Sequence, residues 1–387
     1  MNICIVTHRL LKGDGQGRVN YEVAMEALRQ GHSLTLVASD VAAELLQHPQ
    51  VMWIALPVKG IPTELLRNIA FSIRSARWLR QYAAKCDLVL ANGAITSFSA
   101  DVNVVHFVHS DWLRSPANRP VGLRGLYQRL YTALNAHWEK QAFRRSTLLI
   151  AVSQQVKQSL MSIGVPEEKI RVILNGVDTV EFSPGTVSRD LWNLPAEVPL
   201  GLFAGDIKTP RKNLDTVLHA LTQVSTLHLA VAGDTQGSPY PKLAEELGVG
   251  DRVHFLGYRR DVKDLMKAVD FFIFPSRYEA CSLVLLEAMA SGLPVITAAT
   301  AGGAEIITPD CGVVLPDPDN ASALAQVLQS ILQSPEARSR MGSAARRRAE
   351  QQTWSAMGQQ YLGLFETFAS STPNHETHRR YSHLLSH

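Results

Sequence analysis

Cysteine is scarce in this chain, and no two cysteines stand close together. Cys4, Cys86, Cys281 and Cys311 are scattered, which excludes the paired spacings of a zinc site or a disulfide framework and suits a reducing cytoplasm. Missing too is any apolar run near the roughly 20 residues that cross a bilayer. The opening MNICIVTHRL turns polar after six residues, a first strand rather than a secretion signal. Repeats are absent, and only 19% of residues are charged. Against this stands a 46% hydrophobic content over 387 residues, a soluble globular composition with material for two cores.

The net charge of +3 conceals an imbalance. Residues 1–190 hold 21 Lys/Arg against 15 Asp/Glu, whereas residues 191–387 hold 17 against 20. The first half is therefore the better suited to an anionic surface.

Short β-branched runs alternate with amphipathic segments along most of the chain. Strands are expected at 2–8, 33–39, 51–57, 87–92, 102–109 and 147–153, then at 199–205, 228–234, 252–258, 271–276, 294–299 and 312–316. Helical patterns at 17–30, 64–85, 122–145, 154–163, 213–224, 239–247, 283–291 and 320–333 separate most of them. This alternation predicts α/β architecture with two parallel sheets, each covered by helices. The proline- and turn-rich stretch 175–198 reads as the linker between them.

FIFPSRYEACSLVLLEAMASGLPVI (271–295) carries two glutamates, Glu279 and Glu287, in apolar company where an unpaired carboxylate is costly. FFIFPS ends a strand, RYEACS is the loop at its carboxyl end, and LVLLEAMAS is the next helix. Ligands of open α/β sheets gather at this edge. The helix start supplies unpaired N–H groups near Ser282, Leu283 and Val284, which suit a phosphate or diphosphate. Glu279 would stand beside such a ligand, and Glu287, one turn in, could accept from vicinal hydroxyls. A nucleotide sugar satisfies both acids.

The same residues resemble the E-x7-E signature of glycosyltransferase family 4, retaining enzymes with the two-Rossmann-domain GT-B fold. Other landmarks of that family follow in order: GDGQGR (13–18), AVSQQVKQSL (151–160), IRVILNGVDTVEFSP (170–184), FAGDIKTPRKNLDTVL (203–218), LAVAGD (229–234), VHFLGY (253–258) and TAGGAEII (300–307). The resemblance covers residues 1 to about 368. It implies an acceptor-side Rossmann-like domain at 1–183, a donor domain at 184–350, a helix at 351–369 crossing back to the first domain, and a disordered tail at 370–387.

Carried over residue by residue, the resemblance makes Glu279 the acid on the donor sugar and Glu287 the ribose ligand. The backbone of Cys281, Ser282, Leu283 and Val284 becomes the diphosphate cradle, and Lys212 neutralises the leaving diphosphate. His109 faces the donor sugar, with His106 the competing candidate. Gly15 and Gly17 approach the phosphates from the opposite domain. Gly205, Arg211 and Tyr258 complete the donor site, base recognition near Tyr258 being through backbone. The expected reaction is metal-independent transfer of a hexose-type sugar, with retention, from a nucleoside diphosphate sugar, a UDP-sugar ahead of a GDP-sugar. The acceptor is lipid-linked, a glycan or a small molecule, and no further cofactor is implied. Two positions depart from the family: Asp206 stands where arginine is usual, and Cys281-Ser282 replaces Phe-Gly. Lys208 or Arg211 is then the source of the missing charge. The departures also keep two alternatives open, an inactive sugar-nucleotide binding protein and an epimerase of the same fold.

Other patterns read as structural. GDGQGR lacks the spacing of a dinucleotide fingerprint. In DPDN (317–320), Asp319 or Asn320 is better suited to cap a helix than to hold a metal. His106 and His109 lack a third ligand. On the 64–85 helix, Leu66, Ile69, Ile73, Ala76 and Leu79 form one face and Arg67, Phe71, Arg74 and Trp78 the other. The second face either packs under a loop or, with Arg114 and the basic stretch 114–131, meets an anionic membrane from the cytoplasmic side. No nucleic-acid motif is present.

Overall fold

A computed structural model describes residues 1–13, 15–118 and 122–371. Seven strands form the first sheet: β1 (Asn2–Leu10), β2 (Ser33–Val41), β3 (Val51–Ala55), β4 (Leu88–Asn92), β5 (Val102–Val105), β6 (Leu148–Ala151) and β7 (Ile170–Val172). Their order is β3-β2-β1-β4-β5-β6-β7, all parallel. Six form the second: β8 (Leu200–Ala204), β9 (His228–Ala232), β10 (Val253–Phe255), β11 (Phe271–Phe274), β12 (Val295–Ala298) and β13 (Gly312–Leu315). Their order is β10-β9-β8-β11-β12-β13, again all parallel. The central strands β4, β8 and β11 are buried throughout, as parallel strands covered on both faces must be. Strand order reverses direction at β1/β4 and at β8/β11, so ligand crevices are expected beyond the carboxyl ends of those strands.

Two expectations are corrected here. The strand read at 102–109 stops at Val105, and a helix, His109–Arg114, begins at its end. Apolar content alone does not separate the two, and the deciding partner is remote. Glu139 accepts from the N–H groups of His109 (2.8 Å) and Ser110 (2.7 Å), a bond no neighbouring strand can replace.

The second correction concerns the helix Glu64–Tyr82. Its buried stripe runs through Phe71, Ser75, Ala76 and Leu79, while Leu66 is 49% and Ile73 58% exposed. Phe71 enters a core shared with Cys4, Val6 and Val37, and Trp78 packs half-buried against it. Arg67 Nε donates to the Ile61 carbonyl (2.8 Å) and Arg74 Nη1 to that of Pro57 (2.7 Å). Arg67, Phe71, Arg74 and Trp78 therefore pack under the 57–61 loop and do not form a free arginine-aromatic face.

The helix Trp354–Ser371 follows the second sheet in sequence yet adds Met357, Tyr361, Leu362 and Phe365 to the core of the first. It lies against the helix Gly15–Arg29, where Ser355 Oγ bonds Glu26 (3.1 Å). Ser370 is still helical, and the tail beyond Ser371 lies outside the described residues.

Candidate functional site

The loop after β11 turns sharply because its backbone bonds to two other loops. Ser276 Oγ and the Arg277 N–H both donate to the Arg211 carbonyl (3.0 and 2.9 Å). Asn213, in the left-handed region at φ 67°, reaches from Nδ2 to the carbonyls of Pro275 (2.9 Å) and Pro318 (2.6 Å). On the other side, the Gly302 N–H donates to the Glu279 carbonyl (3.0 Å) and the Ser282 N–H to that of Gly302 (2.9 Å). Glu279, between these splints, is buried and paired with Lys212, while Arg211 Nη1 lies 3.6 Å from the same oxygen. The Lys212 side chain, 13% exposed, lies over the Phe274 ring, 5.1 Å from its centroid. Burial pulls its pKa down and Glu279 opposes this.

The helix Leu283–Ala290 starts where Glu279's loop ends, and Ser282 is its N-cap without a side-chain capping bond. The expected cradle needs one correction: the Ser282 N–H is spent on Gly302. Among the described residues no group accepts from the N–H of Leu283 or Val284, so these two remain for an anion. Burial holds the Cys281 thiol up at about 12, where it is inert. Gly205 lies beside Lys212, where a Cβ would come into ordinary contact with Phe274 Cε2 (3.4 Å) and Lys212 Cγ (3.6 Å).

Glu287 faces a second space, a cleft of about 610 Å³ lined also by Gly15, Arg18, Glu181, Tyr258 and Leu283. Burial and the neighbouring Glu181 push its pKa up to about 7, with Arg18 pulling the other way. Tyr258 is 74% exposed at the rim. Gly15 stands opposite the cradle, a Cβ there falling 4.0 Å from Leu283 Cδ1, whereas Gly17 is buried inside its helix.

The two sheets meet at this point. Tyr278 donates its hydroxyl to the Val108 carbonyl (3.2 Å), Ser153 Oγ to that of Ala280 (2.5 Å), and the Gln154 N–H to Glu305 (2.7 Å). The Phe107 ring touches both Tyr278 (5.3 Å) and His109 (4.9 Å), which brings His109 to the Glu279 loop. Burial drops His109 and His106 to about 4, so both are neutral at pH 7. His106 is tied to Asn92 (3.0 Å), whereas the buried Nδ1 of His109 has no partner.

Asp206 turns back on its own loop, accepting from the Lys208 N–H (2.9 Å) and Thr209 Oγ1 (3.1 Å). Lys208 pairs with Asp234 (2.5 Å), leaving Arg211 beside Glu279. Asn320 caps the helix Ala321–Gln333 through Ala323 N–H (2.9 Å), so DPDN serves the fold. Among the described residues no three His, Cys, Asp or Glu side chains gather as metal ligands.

Sequence reasoning missed Glu139, Arg18, Asn213 and Gly302. Glu139 had a readable signal: it lies three residues after buried Ala136 and four before buried Phe143, on the inward stripe of its helix.

Two parallel sheets in this order, with a cleft between their carboxyl edges, are the GT-B fold of the glycosyltransferases. Profiles described as "Glycosyltransferase Family 4" and "Glycosyl transferases group 1" match residues 13–181 and 188–348. The chain belongs to glycosyltransferase family 4. Among its relatives is a D-inositol 3-phosphate glycosyltransferase of Xylanimonas cellulosilytica, 30% identical over 252 residues, 61% of this chain and 60% of that protein. The chain thus spans about three-fifths of the length of that relative. Sucrose-phosphate synthase from Thermosynechococcus elongatus superposes with a TM-score of 0.75 at 22% identity, covering 96% of this chain and 100% of that one. HepE of Anabaena, solved with UDP and glucose, gives 0.67 at 23% identity over 95% and 99%.

Proposed function

We propose that this protein moves a hexose-type sugar, with retention, from a nucleoside diphosphate sugar to a hydroxyl of a lipid-linked, glycan or small-molecule acceptor. One observation carries the reading: Lys212 and Arg211 meet at Glu279, whose loop runs straight into the helix start where the N–H groups of Leu283 and Val284 are unpaired. Fixed donors in a buried setting stabilise the charge that develops on a departing diphosphate, without a metal. Glu279 is then a positioning group on the donor sugar, and His109 faces that sugar from the other domain. Glu287 holds the ribose. The UDP held by HepE supports a uridine donor ahead of a guanosine one.

A thermal-shift panel of UDP, GDP and ADP tests this. One nucleotide is expected to stabilise the chain by about 2.7 kcal/mol at a hundred times its Kd, and Glu287→Ala to abolish the shift; no shift with any of the three sinks the reading. The pH dependence follows from Glu287, whose pKa lies near 7 before ligand binds. Accepting two hydroxyls favours the ionised acid, so affinity for UDP-glucose rises as pH rises through about 7 and falls below it. Glu287→Gln is expected to flatten that profile in calorimetric titrations.

A membrane-facing acceptor would meet exposed Leu66, Ile73, Leu126 and Leu130, flanked by Arg129 and Arg114 on the cytoplasmic side. Among the described residues no helix is long and apolar enough to cross a membrane. Flotation with acidic vesicles is expected to carry the protein upward; equal, negligible flotation with neutral and acidic lipid removes this contact.

A further inference from the structure

Beside His109 opens a cavity of about 430 Å³, wholly within the first domain and separate from the Glu287 cleft. That volume falls in the roughly 300–1,000 Å³ range of small-ligand pockets. One wall is a chain of hydrogen bonds with a fixed direction. His8 Nε2 donates to Asn68 Oδ1 (3.0 Å), Asn68 Nδ2 to the Tyr131 oxygen (3.0 Å), and the Tyr131 hydroxyl to Glu64 (3.3 Å). With these bonds made, the second N–H of Asn68, the second oxygen of Glu64 and the Nδ1 lone pair of His8 are left over. His109, whose buried Nδ1 has no partner, also lines the cavity. Phe107 and Trp138 supply apolar surface between them.

We propose that this cavity holds the acceptor and selects an uncharged saccharide ring over a phosphorylated one, through the His8–Asn68–Tyr131–Glu64 chain. The inference rests on the transferase reading and names its acceptor class. A sugar hydroxyl both donates and accepts, so it needs the mixed set of donors and acceptors found here. A phosphate needs cations or several N–H donors, and this wall offers it the reverse. Arg145 is the cationic side chain among the described lining residues, six residues and about 9 Å along its helix beyond Glu139. Burial lowers the pKa of His8 as well as His109, which keeps both rings neutral at pH 7. Glu64 would repel a phosphate placed against the chain.

Saturation-transfer NMR on the full chain with UDP present tests this, the probes being methyl gluco-, galacto- and mannopyranosides and the matching hexose 6-phosphates. At least one neutral glycoside is expected to show ring-proton saturation well above its phosphate counterpart. Asn68→Ala and Tyr131→Phe are expected to weaken it roughly five- to ten-fold, the net worth of one hydrogen bond. Hexose 6-phosphates that match or exceed the neutral glycosides overturn the proposal. So do neutral glycosides that give no signal, or a signal unchanged in both variants. The UDP thermal shift separates the failures: a variant that keeps it is folded, and a wild-type chain that lacks it discredits the donor site instead.

Discussion

Lys212→Ala is expected to lower the rate of sugar transfer about 10²- to 10³-fold, the loss seen when one fixed donor to a developing anion is removed. Lys212 is largely shielded from solvent, held over Phe274 and paired with Glu279. A cation so placed does little for solvated UDP and most for the charge that appears as the sugar–phosphate bond breaks. Single-turnover measurement with a donor that binds should therefore show the rate constant falling further than the donor affinity. Removal also leaves Glu279 with Arg211 alone, and a buried ion pair broken on one side costs about 3–5 kcal/mol. Melting curves separate that loss from the chemical one, and Lys212→Arg keeps the charge while changing the shape. A rate reduced less than about tenfold in a folded Lys212→Ala protein denies the lysine this role.

Gly302→Ala is expected to damage the site as severely while adding only one methyl group. A Cβ at Gly302 would lie 1.9 Å from the Ala280 carbonyl oxygen and 2.8 Å from that of Glu279, both of them backbone. Neither can rotate aside, so the 300–303 loop and the Glu279 loop must separate. The bonds lost are Gly302 N–H to Glu279 and Ser282 N–H to Gly302, which fix both the acid and the start of the Leu283–Ala290 helix. Misplacing reacting groups by about 1 Å costs on the order of 100-fold in rate, and overpacking of this kind costs about 1–3 kcal/mol in stability. Gly363→Ala is the control. A Cβ there meets nothing within 4 Å, and alanine's better helix propensity predicts an unchanged or slightly higher melting temperature. Equal behaviour of the two variants in melting and turnover would contradict the splint.

The sheets were readable because each buried strand is a short, nearly continuous apolar run, and FFIF or LLIA has few other uses in a chain of this length. Glu279 and Glu287 stand out for a related reason, being carboxylates in a largely apolar stretch, whereas Lys212 lies among other charges in DIKTPRKNLD and only the family resemblance singles it out. The backbone of the cradle was legible only in part. A free N–H at Leu283 and a spent one at Ser282 look alike in sequence, and the difference depends on Gly302, twenty residues away. TAGGAEII was noticed as a landmark, yet its glycine needs the contact with Ala280 to explain it. The helix at 64–82 misled because Leu66 and Ile73 are as apolar as Phe71, and a helical period does not say which of two apolar stripes finds a partner.

Where the chain leaves the first domain it passes 174–177, and where it returns it passes 352–354. Val177 N–H bonds the Gln352 carbonyl (2.9 Å), and Gln352 Nε2 reaches the carbonyls of Leu174 (3.1 Å) and Asn175 (3.2 Å). Gly176 sits so near Trp354 that a Cβ would come within 2.5 Å of its backbone nitrogen. Two ribbons lashed side by side resist twisting and sliding far better than a single tether, yet still bend about the line they share. Any opening of the cleft would then be confined to something like a door on one pin, and closing would bring His109 back to the Glu279 loop in the same alignment.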